Sequence, residues 1–382
     1  MTIVIEFYFL VCVALLLFDI SFLIVKNSRL RIFKHRFSTF EKNLNNEILK
    51  FHENGVFSTE FLDSLPKKLA STKNMVILAT MMEQEPTTKT IFRPYVTYEL
   101  NNYKKKSDYE QAFYAYVISV FDYSKENVRP SFANKFLTLL DTKSLYTFAN
   151  TMEALYAFGD EKLLLQALHK VDERQGFYHK KLLVDGLLSA KVNFNSLNPQ
   201  LVDRFYNYSP FLQDCLLDFF RMNRYDVTLL CTDLLYNQDI DAEVRYNAMR
   251  YFSRFPTVAS KKYFINILKE PNTLWIDQLL AIQALENYLY DVDIINLMWT
   301  KVTNPKWFVR TNAIHFLFKH GMEKSDVCVF LQLRDQFATE ALLYEFRDDD
   351  QMTQYILDTT AQIKQCDEAL ANTTVQKKVT EV

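Results

Sequence analysis

His315, His320 and Cys328 come nearest to a metal-binding set, since imidazole and thiolate groups are the usual ligands of zinc. Their spacing argues against one. The two histidines are five residues apart and do not share a helix face. No H-E-x-x-H, G-x-S-x-G, phosphate-binding loop or G-x-G-x-x-G occurs. The run Asp348-Asp349-Asp350 lacks the spaced ligands and glycine of a calcium loop, and reads as a solvated helix terminus. The five cysteines, Cys12, Cys215, Cys231, Cys328 and Cys366, are odd in number and far apart, which suits free thiols in a reducing compartment. The sequence therefore leads us to expect no catalytic residue, no metal, no cofactor and no small-molecule substrate.

Binding chemistry is better represented. Trp275 and Trp307 are candidate protein-binding anchors, because tryptophan is enriched at interfaces; packing between repeats is the alternative. Arg245 and Arg310 belong to a group with Arg221, Arg224, Arg250 and Arg254. They either recognise an acidic partner segment or pair with nearby carboxylates. Asp19 and Glu6 are carboxylates within a long apolar run. Such groups are costly in a bilayer and tend to find partners there. Glu6, near the outer end, suits simple tolerance at an interface. Asp19 is a candidate transmembrane contact.

The elements carrying these residues repeat. Asp239-IDAEVRYNAMRYF, Asn272-TLWIDQLLAIQAL and Asn304-PKWFVRTNAIHFL align without gaps. Asp239, Asn272 and Asn304 share one column, expected to be helix N-caps. Ala248, Ala281 and Ala313 share another, where a small residue lets helices approach. Met249, Ile282 and Ile314, then Phe252, Leu285 and Leu317, complete an apolar stripe of helical period. Gly321 stands where the third helix should end. A weaker echo runs upstream through Cys215 and Phe219, Gly186-Leu187, and Ala154 and Phe158. Residues 57–140 are helical in pattern but not cleanly repetitive, and Lys104-Lys105-Lys106 reads as a solvated turn. Few glycines (5) make a large β-structure or a glycine-cradled nucleotide site improbable.

The segments Asp241-AEVRYNA and Pro305-KWFVRTNA resemble the HEAT-repeat family's x-x-V-R-x-x-A core, with Arg245 and Arg310 on the repeat's usual arginine. The middle unit departs from it, with Asp277-Gln278 in place of Val-Arg. The clear match covers about residues 239–320. The resemblance implies an all-α fold: a right-handed α-solenoid of helical hairpins over 57–362. The W-F-V-R-x-N-A form looks like bacterial HEAT proteins with one N-terminal membrane helix, often encoded beside membrane glycosyltransferases.

Before the repeats, Ile3–Val25 reads IVIEFYFLVCVALLLFDISFLIV, long enough as a helix to cross a bilayer core of about 30 Å. Lys26, Arg29, Arg31, Lys34 and Arg36 follow, and no basic side chain precedes it. Positive charge stays on the cytoplasmic side, so the N-terminus is expected outside and the remainder in the cytoplasm. A cleaved signal peptide is the rival, but a basic n-region and an A-x-A site are missing. Residues 26–56 form a basic amphipathic juxtamembrane segment with Phe33, Phe37, Phe40, Leu44, Ile48 and Phe51 at helical spacing. It either packs on the solenoid or lies on anionic lipid. Gly55 is placed to end that helix. Residues 363–382 form a polar tail, expected to be disordered from about Asn372.

The expected function is a membrane-tethered adaptor, held through residues 3–25, whose cytoplasmic solenoid binds a protein partner. By resemblance that partner is a membrane glycosyltransferase or surface-polysaccharide complex. A HEAT-like enzyme of the DNA-glycosylase or lyase type is one alternative. The net charge of −2 argues against nucleic acid. An accessory subunit of a channel or transporter, coupled through the transmembrane helix, is the other.

Overall fold

The computed structural model describes residues 2–380 apart from 56, 85, 122, 124–127, 175 and 290; helix side chains at 2–9, 29–30, 33–38, 52, 54, 84, 86–88, 90, 324 and 370–380 are also outside the description. The described residues form helices and no strand. The chain divides into two compact units, Met1–Leu197 and Asn198–Val382.

In the first unit, α1 (Thr2–Asn54) runs without a break, so the apolar and basic segments are one helix differing only in composition. Its stretch Leu10–Ser28 has a mean hydropathy of 2.2 and no part buried, which fits a membrane span or a signal sequence. Further along, Phe40, Leu44 and Ile48 are buried, and α1 packs on α3. Phe51 stacks on Phe57 at 4.7 Å. The distal half of the stripe therefore packs on the fold. The side chains of Glu6, Arg29, Phe33, Lys34, Arg36 and Phe37 lie outside the described residues. Gly55 ends the helix at φ +73°, a left-handed conformation that glycine adopts without strain.

The unit continues through α2 (Thr59–Leu69), α3 (Thr72–Gln84), α4 (Pro86–Tyr98), α5 (Leu100–Tyr103), α6 (Asp108–Val120), α7 (Pro130–Leu137), α8 (Leu145–Phe158), α9 (Glu161–Glu173), α10 (Lys180–Ser189) and α11 (Phe194–Asp203), the last spanning the boundary. Buried tyrosines tie the helices together. Tyr103 donates to the Leu69 carbonyl at 3.2 Å, Tyr114 to Val96 at 2.9 Å, and Tyr123 to Arg93 at 2.8 Å. Lys106 is no solvated turn residue. It lies 4.0 Å over the Tyr103 ring and donates to the Ala70 carbonyl. Gly186 sits against the Tyr156 ring, where any side chain would collide.

The second unit carries α12 (Pro210–Asn223), α13 (Thr228–Tyr236), α14 (Ala242–Arg254), α15 (Val258–Lys269), α16 (Trp275–Leu285), α17 (Val292–Trp299), α18 (Trp307–Lys319), α19 (Lys324–Leu331), α20 (Gln336–Glu345) and α21 (Asp350–Thr380). α12, α14, α16, α18 and α20 pack each on the next. α13, α15 and α17 form a second, looser row, paired with α14, α16 and α18. Ala248, Ala281 and Ala313 are completely buried where the first row meets itself. Met249, Ile282 and Ile314 are buried beside them.

Two expectations are corrected. The helices start two residues later than the aligned Asp/Asn column. The N-caps are Asp241, Leu274 and Lys306, so Asp239, Asn272 and Asn304 precede the caps by a constant two positions. The reason is visible at Asn304, whose side chain accepts from the Lys306 N–H at 2.9 Å and so shapes the turn rather than the first helical turn. The tail differs as well, since α21 continues to Thr380.

Candidate protein-binding surface

Trp275 and Trp307 are the first residues of α16 and α18. At that position a side chain projects off the end of the apolar stripe. Trp275 stacks on Phe308 with centroids 5.6 Å apart. Trp307 meets Tyr344 of α20 edge-on at 6.1 Å. These are contacts between consecutive helices of the first row, so the packing reading describes part of what the tryptophans do. Yet Trp275 remains 39% exposed, Trp307 40%, Phe308 56% and Tyr344 54%. Phe337, at the start of α20, is 61% exposed. They form two part-exposed aromatic pairs, Trp275–Phe308 between α16 and α18 and Trp307–Tyr344 between α18 and α20, with Phe337 exposed on α20.

The x-x-V-R column forms a polar brace. Arg310 is buried, at 4% exposure. Its Nε and Nη2 donate to the Asn304 carbonyl at 3.1 and 2.9 Å, and its guanidinium lies 5.3 Å from the Phe337 ring. Gln278, in the same column, donates to the Thr273 carbonyl at 3.2 Å and accepts from Asn304 at 3.1 Å. Arg245 reaches Asp277 of the next helix at 3.5 Å. Burial pushes the Asp277 carboxyl above the usual carboxylate range, and the Arg245 charge draws it part of the way back. The column is thus continuous in role although glutamine replaces arginine at its centre. Each member reaches toward the neighbouring unit. Arg310 presents no free guanidinium to solvent, and Arg245 is mostly covered.

Two more arginines of the group are engaged. Arg221 pairs with Asp218 at 2.6 Å, and Arg250 reaches Asn247 at 3.4 Å. The histidine and cysteine side chains are dispersed. His315 meets Glu345 at 2.7 Å, His320 lies tilted against Phe316 with centroids 4.3 Å apart, and Cys328 contacts the Tyr355 hydroxyl at 2.7 Å. No group of three His, Cys, Asp or Glu among the described residues is placed to hold a metal. Asp349 accepts from the Met352 N–H at 2.9 Å and caps the start of α21. Asp19 lies far from this surface in sequence, on the unburied part of α1, with its side chain exposed.

Sequence reasoning missed Phe308, Phe337 and Tyr344. Phe308 carried a readable signal: it adjoins Trp307 and falls outside the stripe set by Val309, Arg310 and Ala313. Tyr344 and Phe337 belong to α20, whose sequence does not align with the three clear units. Compared with protein-family models and with curated proteins, the chain matches none.

Proposed function

We propose that this protein is a non-enzymatic adaptor, tethered to the membrane by one helix and recognising a protein partner through a HEAT-like α-solenoid. The observation that carries this is the set of two exposed aromatic pairs, Trp275–Phe308 and Trp307–Tyr344. Four large aromatic side chains in two pairs, each held by a neighbour and each about half exposed, give rigid anchors at low entropic cost. Two further features support the solenoid: the one-on-next packing of α12 to α20, and the three buried alanines at repeat spacing. The HEAT-like reading itself rests on those columns.

Recognition in this reading falls to the aromatic pairs rather than to Arg245 and Arg310. The unburied stretch Leu10–Ser28, followed by basic residues, supports a retained anchor with the N-terminus outside. Tethering raises the effective concentration at the membrane, so a modest affinity suffices. A membrane enzyme complex for surface polysaccharide is the partner that the resemblance favours.

The test separates the two parts. A reporter fused after Val382 should be active only in its cytoplasmic form. Trp307→Ala should leave membrane location and the circular-dichroism spectrum unchanged while weakening partner capture at least tenfold, as loss of a hot-spot tryptophan does. Unchanged capture would refute the aromatic pairs as the recognition surface, and an active external reporter would refute the topology.

A further inference from the structure

Asp19 lies inside the apolar run Ile3–Val25, six residues from its basic end, and its side chain is exposed on the unburied stretch of α1. Its neighbours one turn away are Leu15, Leu16, Phe22 and Leu23, exposed by 60%, 61%, 57% and 53%. The nearest cation along the chain is Lys26, seven residues on. That is about 10 Å along the axis, beyond direct pairing, and a lysine there extends toward the headgroups instead. Carboxylates at such depth occur where another group meets them.

We propose that Asp19 is the contact point for a second membrane protein, through a lysine or arginine carried at matching depth on one of its transmembrane helices. This rests on the anchor reading given above and names the partner's chemistry. Charge complementarity selects the occupant. A second copy of this chain in parallel would set Asp19 against Asp19, and the two basic clusters that follow Val25 against each other. A cation on the partner relieves the carboxylate, and the four flanking apolar side chains supply the packing on either side of it. Cys12, Asp19 and Lys26 are seven apart and lie on nearly one line of the helix. Cys12 therefore reports on the same face.

The experiment uses the full-length chain, fluorescently labelled at its C-terminus and reconstituted in phosphatidylcholine vesicles. The probes are two synthetic polyleucine transmembrane helices, one with a lysine about six residues inside its cytoplasmic end and one without, and energy transfer reads association. The lysine helix should associate about tenfold more tightly than its plain counterpart. Asp19→Leu should abolish that preference. Asp19→Lys should transfer it to a helix bearing an aspartate at that same position. Equal association of the two probes with the unaltered chain would overturn the proposal. So would efficient Cys12–Cys12 disulfide formation on mild oxidation that Asp19→Leu abolishes, which assigns the face to a second copy. Release of the chain from vesicles by alkaline carbonate would overturn the anchor reading itself, an outcome distinct from an integral protein without preference.

Discussion

The stack α12–α20 and the bundle α2–α8 solve one problem with overlapping sets of residues, to which the bundle adds buried tyrosines. Each must satisfy backbone carbonyls left open where helices meet, since a buried unpaired polar group costs about 1–3 kcal/mol. In the stack the donors are amides and a guanidinium. Asn247 donates to the Asp214 carbonyl at 2.9 Å, Gln278 to Thr273, and Arg310 to Asn304. The bundle uses such donors too, with Asn150 donating to the Ala112 carbonyl at 2.9 Å and Arg93 to Phe121 at 3.2 Å, and adds the tyrosine hydroxyls of Tyr103, Tyr114 and Tyr123. The packing differs to match. Small alanines at constant spacing let the stack's helices repeat one contact geometry, whereas large rings make every contact of the bundle its own case. Tyr103 and Tyr114, for example, stack at 4.6 Å. A regular contact leaves a regular sequence, and an irregular one does not.

The comparison breaks first at the alanine column. Ala281→Phe forces a ring between α14, α16 and α18, and overpacking of this kind costs about 3 kcal/mol at the upper end of its range. Thermal unfolding of the detergent-solubilised chain should show a large fall in midpoint. An unchanged midpoint would mean that the column tolerates bulk and that the stack is not close-packed there.

Arg310→Met comes next. It keeps an apolar stem but leaves the Asn304 carbonyl without its donors, at a cost of about 2 kcal/mol, as for a hydrogen bond to a charged group. The same measurement checks it. A neutral result would return Arg310 to the pool of recognition residues.

Tyr114→Phe removes one hydroxyl from the bundle and leaves its ring. It should cost about 1 kcal/mol, in line with one net hydrogen bond. Urea unfolding followed by near-ultraviolet circular dichroism would read it.

The smallest effect is expected at Glu99, and it has the opposite sign. Glu99 is buried, and burial pushes its carboxyl above the ordinary value of 4.5, with the Asn102 bond and the Lys106 charge drawing it part of the way back. A raised folded-state value means that its contribution to stability is fully present below about pH 4.5 and is lost as pH rises through the raised value. Glu99→Gln should therefore stabilise the chain at pH 8, by less than about 1 kcal/mol after the compensating bond and charge are counted. The gain should vanish at pH 4. A gain at both pH values would make the effect one of packing rather than charge.

Much of the stack was legible because its signal is local. Ala248, Ala281 and Ala313, with the stripe around them, are buried as their spacing implies. Gly55 and Gly321 end α1 and α18 with positive φ, as their positions suggested. The helix starts were misplaced by two residues because an asparagine side chain serves a turn as well as a cap, and residue type alone does not say which. The candidate surface was half legible. The tryptophan column was visible, but its partners Phe308 and Tyr344 come from the next helices, and which residues a ring meets depends on how the helices pack. Arg310 looked like a recognition residue because a charge is usually solvated. Its burial follows from the carbonyl of Asn304 beside it, a backbone group that residue types do not display.

In the proposed function, partner recognition runs through the exposed aromatic pairs Trp275–Phe308 and Trp307–Tyr344. The most direct measurement places a photo-reactive phenylalanine analogue at Trp307, and separately at Leu229, in intact membranes. Leu229 is 88% exposed on α13, in the other row of helices. Irradiation should give one discrete heavier adduct from position 307, competed away by the unlabelled chain, and none from position 229. Adducts of equal yield from both positions, or from 229 alone, would contradict it.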